Sequence, residues 1–209
     1  PDDSIFGGQI APLFPAGTPD WLAAPGFAYA GMAFGYYSLP VPEGPVDVAP
    51  FGANLALRRS LFATTCYCEE IGPQDGDYIM GSETELLLRL QSQGHRFIYV
   101  PAARVQHVVQ PHQVTRRFLM KRAVRAGRSR ARFGPQVTRR QLAGVPWYVW
   151  RELITASWSY AWNAPRGAAA RCRTGIRFWK AFSAVSEYQR IRREHRDNEA
   201  VPWRHRQTG

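Results

Sequence analysis

The segment Gly81-Ser82-Glu83-Thr84-Glu85 places two carboxylates at the mouth of an acidic loop and at the opening of a leucine-rich helix. A carboxylate in the first turn of a helix stays ionised, because the free N–H groups and the helix dipole favour the anion. Aimed into a cleft, such an anion can take a proton from a hydroxyl nucleophile. Ser82-x-x-Glu85 reads as a capping box, which gives Glu85 a structural duty and leaves Glu83 without one. The alternative for Glu83 is simple complementation of the dipole. In Val105-Gln106-His107-Val108-Val109 a single histidine sits on a short strand, either as a hydrogen-bonded structural residue or as a metal ligand. In Phe51-Gly52-Ala53-Asn54, Gly52 would permit close backbone approach to a ligand. Asn54 would offer both a donor and an acceptor to a sugar hydroxyl, with a plain turn as the alternative.

The elements that must position these residues follow from the breakers and periodicities. Residues 1–50 are punctuated by Gly and Pro, which exclude long helices and predict short strands with ordered loops. A strand running from Asn54 toward Arg59 leads into a short helix around Ser60–Thr64. The apolar face of Leu86, Leu87, Leu88 and Leu90, the capping box and Gly94 predict a helix over Ser82–Gln93. A strand over Arg96–Val100, a turn at Pro101 and a second strand over Val105–Val109 come next. A basic amphipathic helix is expected from Val114 to about Phe133, with Phe118, Leu119, Ala123, Val124 and Ala126 on its apolar face. After Gly134-Pro135, helical segments broken at Pro146 and Pro165 run to the end. This order is that of an α/β layer protein over residues 1–134, followed by a basic, aromatic-rich helical extension over 135–209.

Charge divides the chain more sharply than its total of +11 suggests. Residues 1–100 hold 4 Arg against 11 Asp and Glu, whereas residues 101–209 hold 23 Lys and Arg against 5 acids. An acidic half suits metal binding or nucleophile activation, and a basic half suits phosphate, nucleic acid or an anionic membrane surface. The aromatic stretch from Val145 to Trp162, within the basic span 145–180, suits a helix lying at a membrane interface; packing against the α/β body explains it equally well. No apolar run reaches the length of a spanning helix, and neither an export signal nor a tandem repeat is visible. Three cysteines, Cys66, Cys68 and Cys172, form no disulfide framework, and a reducing compartment is the simpler expectation.

Taken together, Gly7-Gly8, Pro19-Asp20-Trp21-Leu22, the string Pro50 to Arg59, Gly81 to Leu86, Gly94 to Pro101 and Val105-x-His107 resemble the second half of an inverting family-2 glycosyltransferase of the GT-A fold. The resemblance covers roughly residues 4–132. It implies transfer of a sugar from a nucleotide-diphospho-sugar donor to an acceptor hydroxyl of a saccharide or lipid-linked acceptor, with inversion. In that family the general base is the carboxylate of the acidic motif that opens the helix, and here it falls on Glu83. The resemblance also implies a divalent metal, Mn2+ or Mg2+, reached by His107. It puts Gly52, Asn54 and Glu85 on the substrate side, and Arg122, Arg125 and Arg128 on the phosphate side.

Two departures shape these expectations. The family's Glu-Asp pair is replaced here by Ser82-Glu83, and the Gln-x-x-Arg-Trp motif of processive synthases is absent from the basic helix, which favours single-sugar transfer. The nucleotide-binding first half of the domain, with the metal motif it carries, lies outside this resemblance, so the chain by itself is expected to lack the donor site. The expected location is cytoplasmic, with peripheral attachment at the inner face of the membrane. The competing readings are an arginine-rich nucleic-acid-binding module, which leaves the acidic helix start unexplained, and a non-catalytic protein of the membrane surface. Nucleic acid is not the expected partner.

Overall fold

The computed structural model describes residues 4–24, 27–63, 65–69, 71–72, 79–133 and 140–199. It divides into two compact units, 1–126 and 127–209. The division falls inside the basic helix, whereas the sequence reading places it at Gly134-Pro135.

Unit 1 is a mixed α/β layer. Its four-stranded sheet has the order β2-β4-β1-β3, built from β1 (Ser4–Leu13), β2 (Gly44–Val46), β3 (Leu55–Ala56) and β4 (Arg96–Val108). The two long strands lie side by side and parallel, so they need a crossover. Helix α3 (Ser82–Ser92) lies within it. β2 and β3 pair antiparallel on the outer edges. Two short helices, α1 (Asp20–Ala23) and α2 (Ala30–Phe34), interrupt the Gly- and Pro-rich first fifty residues, and a 3-10 turn spans Arg59–Ala63. The predicted strand from Asn54 toward Arg59 shrinks to Leu55–Ala56.

Two apolar clusters hold the sheet. Leu86, Leu87 and Leu90 of α3 close over Ile5, Leu61 and Phe97, while Ile10 packs with Tyr37 and Tyr99. Leu88, expected on the apolar face of α3, points away and is 43% exposed. The end of α3 is as expected. Gly94 is left-handed at φ 96°, its N–H reaches Gln91 O, and His95 N–H reaches Leu90 O, the two bonds of a Schellman ending. The start differs. Gly81, itself left-handed at φ 100°, is the capping residue, and no side chain caps the helix, so there is no Ser82/Glu85 capping box.

The two strands expected on either side of Pro101 are one strand, β4. Gly8 pairs with Val100 and Gln9 with Arg104, leaving Pro101, Ala102 and Ala103 as an insertion in the ladder. A proline, which has no N–H to give a ladder, is tolerated in such a break. The gap is bridged by a side chain from elsewhere. Asn54 Nδ2 donates to Gln9 O and to Ala103 O, each at 3.0 Å. Gly8 leaves room for this, since a Cβ there would lie 2.2 Å from Ala103 O and 2.4 Å from Asn54 Nδ2.

Unit 2 holds the last turns of helix α4 (Arg116–Phe133), a hairpin of β5 (Gln141–Leu142) and β6 (Val145–Pro146), and two helices, α5 (Trp147–Asn163) and α6 (Ala168–Glu199). The hairpin turns through Ala143 at φ 53° and Gly144 at φ 77°, the double positive-φ geometry that suits strand twist. Its core joins Ala131, Val145, Val149, Ala184, Val185, Tyr188 and Ile191. At its centre is a charge cluster. Glu187, 3% exposed, accepts from Arg128 Nε at 3.1 Å, Arg132 Nε at 2.7 Å and Arg190 Nη2 at 2.8 Å. Among the described residues no helix is long and apolar enough to cross a membrane. All three cysteines are free thiols.

Candidate functional site

Glu83 sits in the first turn of α3 directly over the backbone of Gly52. A Cβ on Gly52 would lie 2.9 Å from Glu83 Cγ and 3.0 Å from Oε1. Gly52, expected to permit close approach of a ligand, is approached here by a carboxylate of the protein itself. The loop bearing Gly52 is seated by a second glycine contact, because a Cβ on Gly7 would lie 2.2 Å from Pro50 Cβ. Gly7, Pro50, Gly52 and Glu83, scattered in the sequence, thus converge where β1 meets α3. Ser82 Oγ donates to Glu83 Oε2 at 3.3 Å, and Glu83 itself remains exposed.

Tyr67 completes this corner and was not legible in the sequence. Its phenol is held above its ordinary pKa, first by burial and then by the charge of Glu83, so it remains a neutral donor in the neighbourhood of that carboxylate. A second pair positions it. Glu85 takes a two-pronged bond from Arg89, Nε to Oε1 at 2.9 Å and Nη2 to Oε2 at 3.0 Å, and Arg89 reaches on to Cys66 O at 2.7 Å and Thr65 Oγ1 at 3.3 Å. Glu85, expected on the substrate side, holds Arg89, and Arg89 ties the 65–67 segment to α3. Its four-residue spacing from Arg89 was the readable signal.

The remaining expected residues lie elsewhere. The Asn54 amide nitrogen, expected to meet a sugar hydroxyl, has both hydrogens committed to the β1/β4 break. Asn54→Leu is expected to leave two carbonyls without that donor and to lower the stability of unit 1 by about 1–3 kcal/mol, as read by thermal unfolding. His107 and Arg122 meet the C-terminal end of α2, whose last carbonyls have no partner within the helix. His107 Nδ1 lies 2.7 Å from Phe34 O, and Arg122 donates to Met32 O through Nε at 3.2 Å and Nη2 at 2.8 Å. Since a carbonyl only accepts, Nδ1 carries the proton in this contact, and Nε2 is the ring nitrogen left for any ligand role. Arg122, expected on the phosphate side, thus caps α2 through Nε and Nη2. Arg125 is half-buried on α4 and engaged in contacts of its own. Arg128, expected on the phosphate side, belongs to unit 2, where its Nε meets the buried Glu187 at 3.1 Å.

For a divalent metal the described residues offer no group of three His, Cys, Asp or Glu side chains. His107 contributes one lone pair, and a complete site would need ligands from outside the described residues. An apolar cavity of about 380 Å³, lined by Pro12, Phe14, Leu22, Phe27, Ala30 and Tyr36, opens beside α2. Phe51, next to Gly52, reaches toward the same helix, its ring 3.6 Å from where a Cβ of Gly31 would lie. Comparison of the chain with protein-family models, with curated proteins and with solved structures gives no match.

Proposed function

We propose that this chain carries the acceptor side of an inverting, non-processive glycosyltransferase of the GT-A class, with Glu83 as the general base. The observation that carries the reading is the seating of the Glu83 carboxylate over the side-chain-free Gly52 at the opening of α3. An in-line displacement at an anomeric carbon needs an acceptor hydroxyl deprotonated on the face opposite the leaving nucleoside diphosphate. Glu83 is exposed in the first turn of α3, with one side of its carboxylate seated on the bare backbone of Gly52 and the rest open to an incoming hydroxyl. The hydroxyl proton passes to a Glu83 oxygen as its oxygen bonds the anomeric carbon, and the sugar–diphosphate bond breaks on the far side. The apolar cavity beside α2 supports an acceptor with an apolar portion, such as a lipid-linked sugar, over a bare saccharide. A divalent ion would neutralise charge on the departing diphosphate, with His107 as the ligand this chain would contribute.

The test uses the protein as its coding region encodes it, including whatever precedes Pro1, with a panel of nucleotide-diphospho-sugars and Mn2+ or Mg2+. Release of nucleoside diphosphate with an inverted glycosidic product is expected. Retention of configuration, or no release from any donor, overturns the reading. Gly52→Ala sharpens the test, because the new methyl displaces only the mobile end of Glu83. Turnover should fall by about 10²-fold, as a 1 Å misplacement of a reacting group does, with the melting temperature unchanged. Unaltered turnover would separate Gly52 from the site.

A further inference from the structure

Helix α5 has two faces of opposite character. Val149 and Ala156 are fully buried and Leu153 packs on the core of unit 2. On the other side Arg151, Ile154, Trp158 and Trp162 recur at three- and four-residue spacing and form one outward stripe. Ile154 is 60%, Trp158 73% and Trp162 62% exposed. The two indoles stack on each other at 6.4 Å with 10° between their planes, and the Arg166 guanidinium covers the Trp162 ring at 5.0 Å. Packing within unit 2 thus accounts for the inner face of the aromatic stretch, Trp150 included, and leaves Trp158 and Trp162 in water.

The charge around the stripe selects what would cover it. From Trp147 to Phe182 there are six Arg and Lys and a single acid, Glu152. That acid is already bonded by Arg130, whose hydrogen bond holds the Glu152 carboxyl below the usual range. An isologous second copy would set this arginine rim against itself, which like charges oppose. Tryptophans beside arginines, on a helix too short and too polar to span, match the interfacial belt of an anionic bilayer, with indoles at headgroup depth and guanidinium groups on lipid phosphates.

We infer that the outer face of α5, through Ile154, Trp158 and Trp162 with Arg151 and Arg166, is a docking surface for an anionic lipid bilayer. The assignment rests on unit 2 alone and is independent of the sugar-transfer reading. It is tested by vesicle flotation of the full chain, using phosphatidylcholine vesicles with and without about a third of phosphatidylglycerol. The chain should float with the anionic vesicles only, its tryptophan emission should shift to the blue on binding, and added salt should weaken the association. Trp158→Ser/Trp162→Ser should lose at least about tenfold in apparent affinity and most of the blue shift, with its circular dichroism and melting temperature unchanged, since both side chains are exposed. Absence of flotation with anionic vesicles, or equal flotation by the double variant, overturns the inference. So does a parent chain that dimerises, fails to float and becomes monomeric in the double variant, which would assign the face to a second copy.

Discussion

Replacing Glu83 by glutamine is expected to lower turnover for sugar transfer by about 10²–10⁴-fold, the range ascribed to a positioned general base, while donor affinity stays nearly unchanged. The substitution keeps the size and the hydrogen-bonding outline of the side chain and removes only its capacity to accept the acceptor's proton. Two features keep the fold out of the result. Glu83 is exposed, and α3 is started by the left-handed Gly81 with no side-chain cap, so loss of the charge subtracts only a dipole contribution of roughly 0.3–1 kcal/mol. The measurement is steady-state transfer together with donor binding on the same preparation. Full turnover in Glu83→Gln would remove Glu83 from the base role. The Gly52→Ala effect should also vanish in the Glu83→Gln background, because the methyl acts only by displacing that carboxylate; additive losses would mean that the two residues work separately.

The second large effect is expected in unit 2. Glu187→Gln removes the one anion shared by Arg128, Arg132 and Arg190; Glu194 stays beside Arg132 at 3.6 Å and Arg190 at 3.5 Å, while Arg128 faces a neutral amide in place of the carboxylate. Breaking a buried pair from one side costs about 3–5 kcal/mol, since the remaining charge loses its counterpart without regaining water. Urea unfolding followed by circular dichroism should show that loss. Arg190→Gln should cost far less, because Arg190 is 44% exposed and can be solvated. The same cluster sets a pH dependence. Burial alone would raise the Glu187 carboxyl, but the bond from Arg132 and the fields of Arg190, Arg132 and Arg128 outweigh it and hold the carboxyl below its usual value. A depressed carboxylate contributes stability above the pH at which the unfolded group titrates, and that contribution disappears as pH falls through the lower, folded value. Unit 2 should therefore be at full strength at neutral pH and soften in acid, and Glu187→Gln should flatten that acid limb. A Glu187→Gln chain with parental stability would show that the arginines need no buried counterion.

What the sequence disclosed and what it withheld divide along physical lines. Helices α3 to α6 were readable because apolar periodicity, Gly94 and the prolines act locally, within a few residues of what they specify. The Ser82/Glu85 box was misread because two rules met on one stretch: Glu85 also stands four residues before Arg89, and the ion pair took it while Gly81 took the cap. Glu83 and Gly52 could each be singled out, but their contact needs the Gly7/Pro50 seating, a relation between distant segments that no local pattern carries. The same is true of Asn54, whose partners lie across the sheet, and of Tyr67, brought in by Arg89. The contacts of Arg122 with Met32 O and of Arg128 with Glu187 are of the same kind, since a resemblance names the arginines without showing which backbone carbonyls and buried acids they meet.

The parallel pairing of β1 with β4 also sets the order in which the chain can assemble. Ser4 pairs with Arg96 and Leu13 with Val108, so the central strand pair of unit 1 joins the first described residues to some of the last of that unit. A nascent chain must hold the β4-facing edge of β1 open until β4 has been synthesised, with the short β3 available to pair before then. Unit 2 closes over shorter separations: β5 pairs with the adjacent β6, and the Arg128–Glu187 bond spans 59 residues, against 92 between Ser4 and Arg96. Contacts distant along the chain are slow to close and local ones are fast. In refolding from denaturant the helical unit should therefore recover first, and the corner that seats Glu83 should be among the last features to appear.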